Sequence, residues 1–105
     1  MQASNHLKVL LCFVMASLTS TVFANSELAK AKNCMSCHAI DKKLVGPAYK
    51  DVAAKYKDDK NAVEKLASKI RLGGAGNWGQ IPMPANQQVS EAEAKLLAAW
   101  VLSQK

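Results

Sequence analysis

Three stretches of the sequence repeat apolar residues every three or four positions, which is the spacing of one face of an α-helix. The first follows Gly46-Pro47, the second lies between Asn61 and Gly73, and the third follows Ser90. Their apolar positions are Ala48, Val52, Ala53 and Tyr56 in the first, Val63, Leu66, Ala67 and Ile70 in the second, and Leu97, Ala98, Val101 and Leu102 in the third. Each stretch is therefore predicted to be an amphipathic helix with one buried side.

Residues with strong positional preferences mark the ends of these helices. Pro47 can take the first position of the first helix, where its missing N–H leaves no bond unmade. Asn61 and Ser90 are predicted N-caps, and a glutamate stands three residues after each of them. Gly73 ends the second helix, because glycine readily adopts the backbone conformation found just after a helix.

The rest of the chain has no strand pattern. Ser26 is the predicted N-cap of a short fourth helix over 26–32. Residues 75–89 form a segment rich in glycine, proline and asparagine that contains Trp78 and Met83, and loops of this length in small domains tend to be functional. No repeat or second domain is apparent. We predict an all-α fold of about four short helices around one functional loop.

Residues 1–24 have the three parts of a secretory signal peptide. Lys8 supplies the positive charge, residues 9–16 form an apolar run, and Val22-Phe23-Ala24 supplies small or apolar residues at the cleavage positions. The apolar run is too short to span a bilayer. We therefore predict cleavage after Ala24, export to the periplasm, and a single domain over 25–105 without stable membrane insertion.

The pentapeptide Cys34-Met35-Ser36-Cys37-His38 is a C-x-x-C-H motif, the attachment signature of a c-type haem. Its two thiols can reach the vinyl groups on one edge of a porphyrin, and the adjacent imidazole can supply one axial ligand to the iron. A dithiol redox pair or a zinc site could also use the two cysteines. A dithiol belongs beside a βαβ pattern, and zinc needs more Cys or His ligands, whereas the remaining ones, Cys12 and His6, lie in the predicted leader. Haem attachment therefore explains the motif best.

A covalently bound haem also accounts for how so short a domain could fold. A chain of this length buries only a marginal apolar area and usually needs a further stabilising element, such as a disulfide or a bound metal. The haem would form the centre of the core, so the apoprotein is predicted to be largely unfolded. The full sequence has 14 basic and 8 acidic residues, a formal net charge of +6, of which two haem propionates would cancel part.

Met83 is the predicted second axial ligand of the iron. His38 is the last histidine left after leader removal, so the second ligand of an electron-transfer haem should be a methionine. Met1 and Met15 lie in the leader, and Met35 lies inside the pentapeptide. Prolines flank Met83 on both sides, which places it on a stiff, non-helical segment. A gap-filling core methionine is the alternative, but such residues usually lie on a periodic apolar face.

Four segments of the sequence closely resemble the small bacterial class I cytochromes of the cytochrome c-551 (c-552) type. They are C-x-x-C-H-A-I-D at 34–41, V-G-P-A-Y-K-D-V-A-A-K at 45–55, W-G-Q-I-P-M-P at 78–84 and W-V-L-S-Q-K at 100–105. The resemblance covers essentially the whole of 25–105, with the motifs in the family's order. It implies the class I cytochrome c fold, with about four short helices wrapped around one covalently bound haem c.

The resemblance also implies roles for individual residues. Cys34 and Cys37 match the thioether cysteines, His38 the proximal ligand and Met83 the distal ligand. Pro47 matches a residue whose carbonyl accepts a hydrogen bond from Nδ1 of the ligand histidine.

Two further roles and several departures follow from the same resemblance. Asn86 matches an asparagine whose amide approaches the methionine sulfur, and Trp78 matches an indole that donates toward a haem propionate. Ala85 stands where many members have proline, the 86–89 segment is one residue longer than in the shortest members, and Lys69 stands where some have arginine near a propionate. Trp100 is expected to serve packing of the last helix.

The predicted function is that of a periplasmic monohaem electron carrier, a monomer and not an enzyme. With both axial positions filled by protein, no position remains for a substrate. The rival functions are a peroxidase or reductase subunit, which needs an open iron position, and a gas sensor, which needs Met83 to dissociate readily. Expected partners are a terminal reductase or oxidase and an upstream quinol-oxidising complex, with no role for nucleic acid.

Overall fold

The computed structural model describes residues 21–105, which contain four α-helices and one small sheet. The helices are α1 (Thr21–Ala31), α2 (Tyr49–Lys55), α3 (Ala62–Leu72) and α4 (Glu91–Leu102). A short 3₁₀ turn covers Cys34–Ser36, and strands β1 (Gly74–Gly76) and β2 (Gly79–Met83) follow α3. The structure confirms the predicted class, a mainly helical domain, and adds the sheet.

Helix α4 is the centre of the packing, because α1, α2 and α3 all contact it. The predicted capping box begins it: the Ser90 side chain accepts from the Glu93 N–H, and the Glu93 carboxylate accepts from the Ser90 N–H. Among residues 25–105, Leu97 and Val89 are the largest side chains that are almost completely buried. Trp100 is also buried and packs edge to face on Tyr49 with ring centroids 5.4 Å apart, so its predicted role in helix packing is confirmed.

The prediction that the chain has no strand is wrong. Strands β1 and β2 pair antiparallel, with Gly76 opposite Gly79 and Gly74 opposite Met83. Asn77 and Trp78 form the turn between them. Strands of three and five residues that are rich in glycine and exposed on nearly every residue have no apolar-polar alternation to detect, which is why the sequence pattern missed them.

Two helix boundaries and one capping bond also differ from the prediction. Helix α1 already includes Thr21, where the described residues begin, so Ser26 lies inside it. Ala48 is the N-cap of α2, and Pro47 lies one residue before that, where its carbonyl is free to bond elsewhere. Asn61 does precede α3, but within the described chain its side chain makes no capping bond. Gly73 ends α3 as predicted, with a φ of 69°.

The predicted signal peptide lies mostly outside the described residues, which begin at Thr21. Among residues 21–105, no helix has both the length and the apolar character needed to cross a membrane.

Candidate functional site

A cavity of about 730 Å³ lies between the C-x-x-C-H segment, the β1–β2 hairpin and the inner faces of α3 and α4. All the residues that the sequence singled out for the site line it, namely Cys34, Cys37, His38, Pro47, Trp78, Met83 and Asn86. These residues come from three separate parts of the chain. The fold therefore gathers the whole predicted set around one space.

The 3₁₀ turn presents the two cysteines on one wall of this cavity. Asn33, two residues after the end of α1, adopts a left-handed conformation with a φ of 64°, which redirects the chain. The N–H groups of Cys37 and His38 both donate to the carbonyl oxygen of Cys34, at 3.3 and 3.1 Å. Both thiols are free and partly buried. Burial raises the pKa of the Cys34 thiol.

The His38 ring is fixed by a hydrogen bond. Its Nδ1 lies 2.8 Å from the carbonyl oxygen of Pro47. Because a carbonyl can only accept, Nδ1 must carry the proton, and Nε2 is left with the lone pair that a metal ligand needs. The Gly46 N–H holds the same loop by donating to the Cys37 carbonyl at 2.7 Å. The hydrogen bond between His38 Nδ1 and the Pro47 carbonyl is the contact that the family resemblance implied for Pro47.

Two residues that the sequence did not single out also position this ring. A β-carbon added to Gly46 would overlap Cε1 of His38 and lie 2.8 Å from its Nδ1, so only glycine lets the loop pass this close. On the core side, Tyr49 stacks on the His38 ring with centroids 4.9 Å apart and planes 20° apart. Burial raises the pKa of the Tyr49 hydroxyl, and the nearby Cys34 thiol adds to that shift.

Met83 lines the same cavity at the end of β2, and its backbone packs closely on the end of α3. A β-carbon on Gly73 would overlap the Met83 carbonyl oxygen and lie 2.8 Å from the Ala85 nitrogen. The positive φ of Gly73 and this contact together require glycine there. Pro82 and Pro84 restrict the backbone on both sides of Met83. The methionine is therefore held on a segment anchored to α3.

Asn86 supplies a second anchor between this segment and α3. Its backbone N–H donates to the Ile70 carbonyl at 3.1 Å, and its side-chain amide donates to the same oxygen at 3.0 Å. The amide also lies 3.3 Å from the Pro84 carbonyl. The resemblance implied an approach to the Met83 sulfur, whereas in the described residues the amide bonds to these two carbonyl groups.

Trp78 stands at the tip of the hairpin and is 40% exposed, so it forms part of the cavity rim rather than of the core. Lys55 approaches it from α2: its Nζ lies 4.5 Å from the ring centroid. The same Nζ donates to the carbonyl of Asn77 at 2.8 Å. Sequence reasoning missed Lys55, because nothing near it in the chain predicts a contact with a residue twenty-three positions away.

The residues around the cavity fit a haem. The volume falls in the range of about 300–1,000 Å³ that is usual for ligand sites. Two free thiols line the cavity, and the adjacent histidine has a free Nε2 lone pair. The remaining lining is mostly apolar, and it includes Leu66, Ile70, Leu97 and Val101. Lys43 and Lys69 add positive charge at the wall, which suits a group that carries two carboxylates.

Comparisons with known proteins agree with this arrangement. A family model described as cytochrome c matches residues 24–105. Cytochrome c-552 of Hydrogenobacter thermophilus is 52% identical over 99 residues, which is 94% of this chain and 100% of that protein. Cytochrome c-551 of Azotobacter vinelandii is 62% identical over 79 residues, which is 75% of this chain and 95% of that protein. The crystal structure of wild-type Nitrosomonas europaea cytochrome c552 is similar with a TM-score of 0.75 and 55% identity, over 76% of this chain and 99% of that one.

Proposed function

The chain belongs to the cytochrome c family, and we propose that it is a periplasmic one-electron carrier whose haem iron is bound by His38 and Met83. It carries one haem c, covalently attached through Cys34 and Cys37, and it transfers electrons rather than acting as an enzyme. The observation that supports the ligand pair is that both side chains line the cavity that also contains the two cysteine thiols.

The protein's own groups explain how the iron would be tuned. The haem supplies the one-electron change between ferric and ferrous iron. His38 would bind through Nε2, because Nδ1 donates to the Pro47 carbonyl, and this bond fixes the ring and increases its basicity. A thioether as the other ligand favours a raised reduction potential. Gly46 and Tyr49 both pack against the ring, so little reorganisation should accompany electron transfer.

The proposed location rests on the predicted leader. Cleavage after Ala24 would leave a chain that begins with Asn25-Ser26-Glu27, and the family match begins at residue 24. We expect N-terminal sequencing of the protein purified from a periplasmic fraction to give that tripeptide. A sequence that begins at Met1, or recovery in the cytoplasmic fraction only, would contradict the proposal.

The rim of the cavity has the composition of a transient docking surface. Val45 and Ile81 are apolar, exposed and line the cavity. Lys43 lines it too, and Lys42 is its neighbour in sequence. Weak redox complexes need a small contact with an apolar centre and a charged rim. We propose that the acidic faces of a terminal reductase or oxidase and of a quinol-oxidising complex dock there, and that the carrier acts as a monomer.

Stopped-flow electron transfer to an acidic redox partner tests this docking surface. Near 0.1 M salt, charges more than about 10 Å apart are largely screened. The rate of the wild type should therefore fall as salt rises. The Lys42→Glu, Lys43→Glu double variant should be on the order of tenfold slower at low salt, because lysine steering acts mainly on encounter.

A control variant with the same net charge is Lys57→Glu, Lys60→Glu, whose lysines are exposed and do not line the cavity. It should remain close to the wild type. Flat and identical salt curves for all three proteins would eliminate lysine steering and leave the apolar rim as the recognition element.

A further inference from the structure

One lysine ties the tip of the β1–β2 hairpin to α2. Lys55 is the last residue of α2, and its Nζ donates to the Asn77 carbonyl at 2.8 Å. The same ammonium group lies 4.5 Å from the Trp78 ring centroid, within the range of a cation–π contact. Lys55 itself is exposed and does not line the haem cavity. Its two contacts are thus with the two residues of the hairpin turn.

Within residues 21–105, few other contacts hold the tip of the hairpin in place. Strand β1 consists of two glycines and an alanine, all exposed, and β2 is exposed along most of its length. Gly73 and Asn86 anchor the far end of the hairpin, near Met83, but not the turn. A contact in which one charge meets both a carbonyl and an aromatic face is directional, so it can fix the position of the turn without a large buried area.

We propose that Lys55 is a positioning residue for the haem site. Its ammonium group holds the Asn77-Trp78 turn against the end of α2, which keeps the Trp78 ring at the cavity rim and limits the local openings of the hairpin that carries Met83. The effect on Met83 rests on the proposed ligand role of that residue. The effect on the Trp78 ring does not.

Ligand replacement in the ferric holoprotein tests the effect on Met83. Added imidazole can bind the iron only after the protein's own ligand has moved away. The Lys55→Gln variant should therefore exchange about three- to tenfold faster than the wild type, because it loses both contacts. Lys55→Arg should restore a rate near that of the wild type, since a guanidinium also stacks on an aromatic ring and donates to a carbonyl. Lys57→Gln removes the same charge from a neighbouring exposed position and should leave the rate unchanged.

Nuclear magnetic resonance of the same holoproteins tests the effect on Trp78. The indole Nε1–H resonance should shift in Lys55→Gln and return in Lys55→Arg, and the amides of the turn should exchange hydrogen faster only in the glutamine variant. A general loss of stability would not produce this combination, in which the indole resonance shifts in the glutamine variant and is unchanged in the arginine variant. The proposal would be overturned if the indole resonance and the hydrogen-exchange rates of the turn amides were the same in all variants. If Met83 is not a ligand, the spectrum of the wild type will lack methionine ligation. The indole test would still decide the role of Lys55.

Discussion

Replacement of Met83 by alanine should open one axial position of the haem iron. Carbon monoxide or cyanide should then bind at least about 100-fold more readily, because apparent affinity scales with the fraction of molecules whose site is open. The reduction potential should fall by on the order of 0.1 V, since axial ligands set haem potentials over a wide range. Absorption titration with each ligand and potentiometry of the holoprotein measure the two effects.

Met35→Leu is the matched control for this substitution. Met35 is partly buried against the core and does not line the cavity, so its replacement should change neither ligand binding nor potential. Asn86→Val should give a milder result. It removes the hydrogen bonds from the side-chain amide to the Ile70 and Pro84 carbonyl groups, which anchor the segment, but it leaves the thioether in place. A Met83→Ala protein that keeps the native six-coordinate spectrum would contradict the proposed ligand.

Gly73→Ala should destabilise the protein by about 3 kcal/mol and weaken the bond of Met83 to the iron. Two costs combine: the positive φ strains any residue with a side chain, at about 1–3 kcal/mol, and the added methyl meets backbone atoms of Met83 and Ala85. Backbone atoms cannot move aside as a flexible side chain can. Chemical denaturation of the holoprotein measures the first effect, and cyanide binding measures the second.

Gly76→Ala separates these two costs. Gly76 also has a positive φ, of 100°, but a β-carbon there would have no atom within 4 Å. It should lose only the stability associated with the backbone and keep the cyanide affinity of the wild type. Equal cyanide affinities for the two variants would show that the close contact of Gly73 with the methionine segment has no effect on the iron ligand.

The sequence predicted the features that depend on neighbours in the chain. Ser90 and Glu93 form the expected capping box because both partners lie within one helical turn. The apolar spacing of α4 places Leu97 and Val101 in the core as expected. The C-x-x-C-H motif is also local, which is why it identified the attachment site without a structure.

Contacts between distant residues were not predictable in the same way. In the sequence, Gly46 stood out only as the residue before Pro47, and Tyr49 only as part of the 45–55 segment that carries the resemblance, yet both pack against the His38 ring. The contact of Lys55 with Trp78 and the close approach of Gly73 to Met83 arise when α2 and α3 meet the hairpin. Such contacts depend on how the elements pack together, and no period or motif in the chain encodes them.

The methyl resonances of methionine in the ferrous protein show whether Met83 binds the iron. A methyl group bound above the haem lies in its ring current, so its signal should shift far upfield. After cleavage at Ala24, the chain would contain two methionines, Met35 and Met83. With ¹³C-methyl methionine labelling, one signal should be shifted, persist in Met35→Leu and vanish in Met83→Ala. A shifted signal that belongs to Met35, or no shifted signal in the wild type, would contradict the proposed iron site.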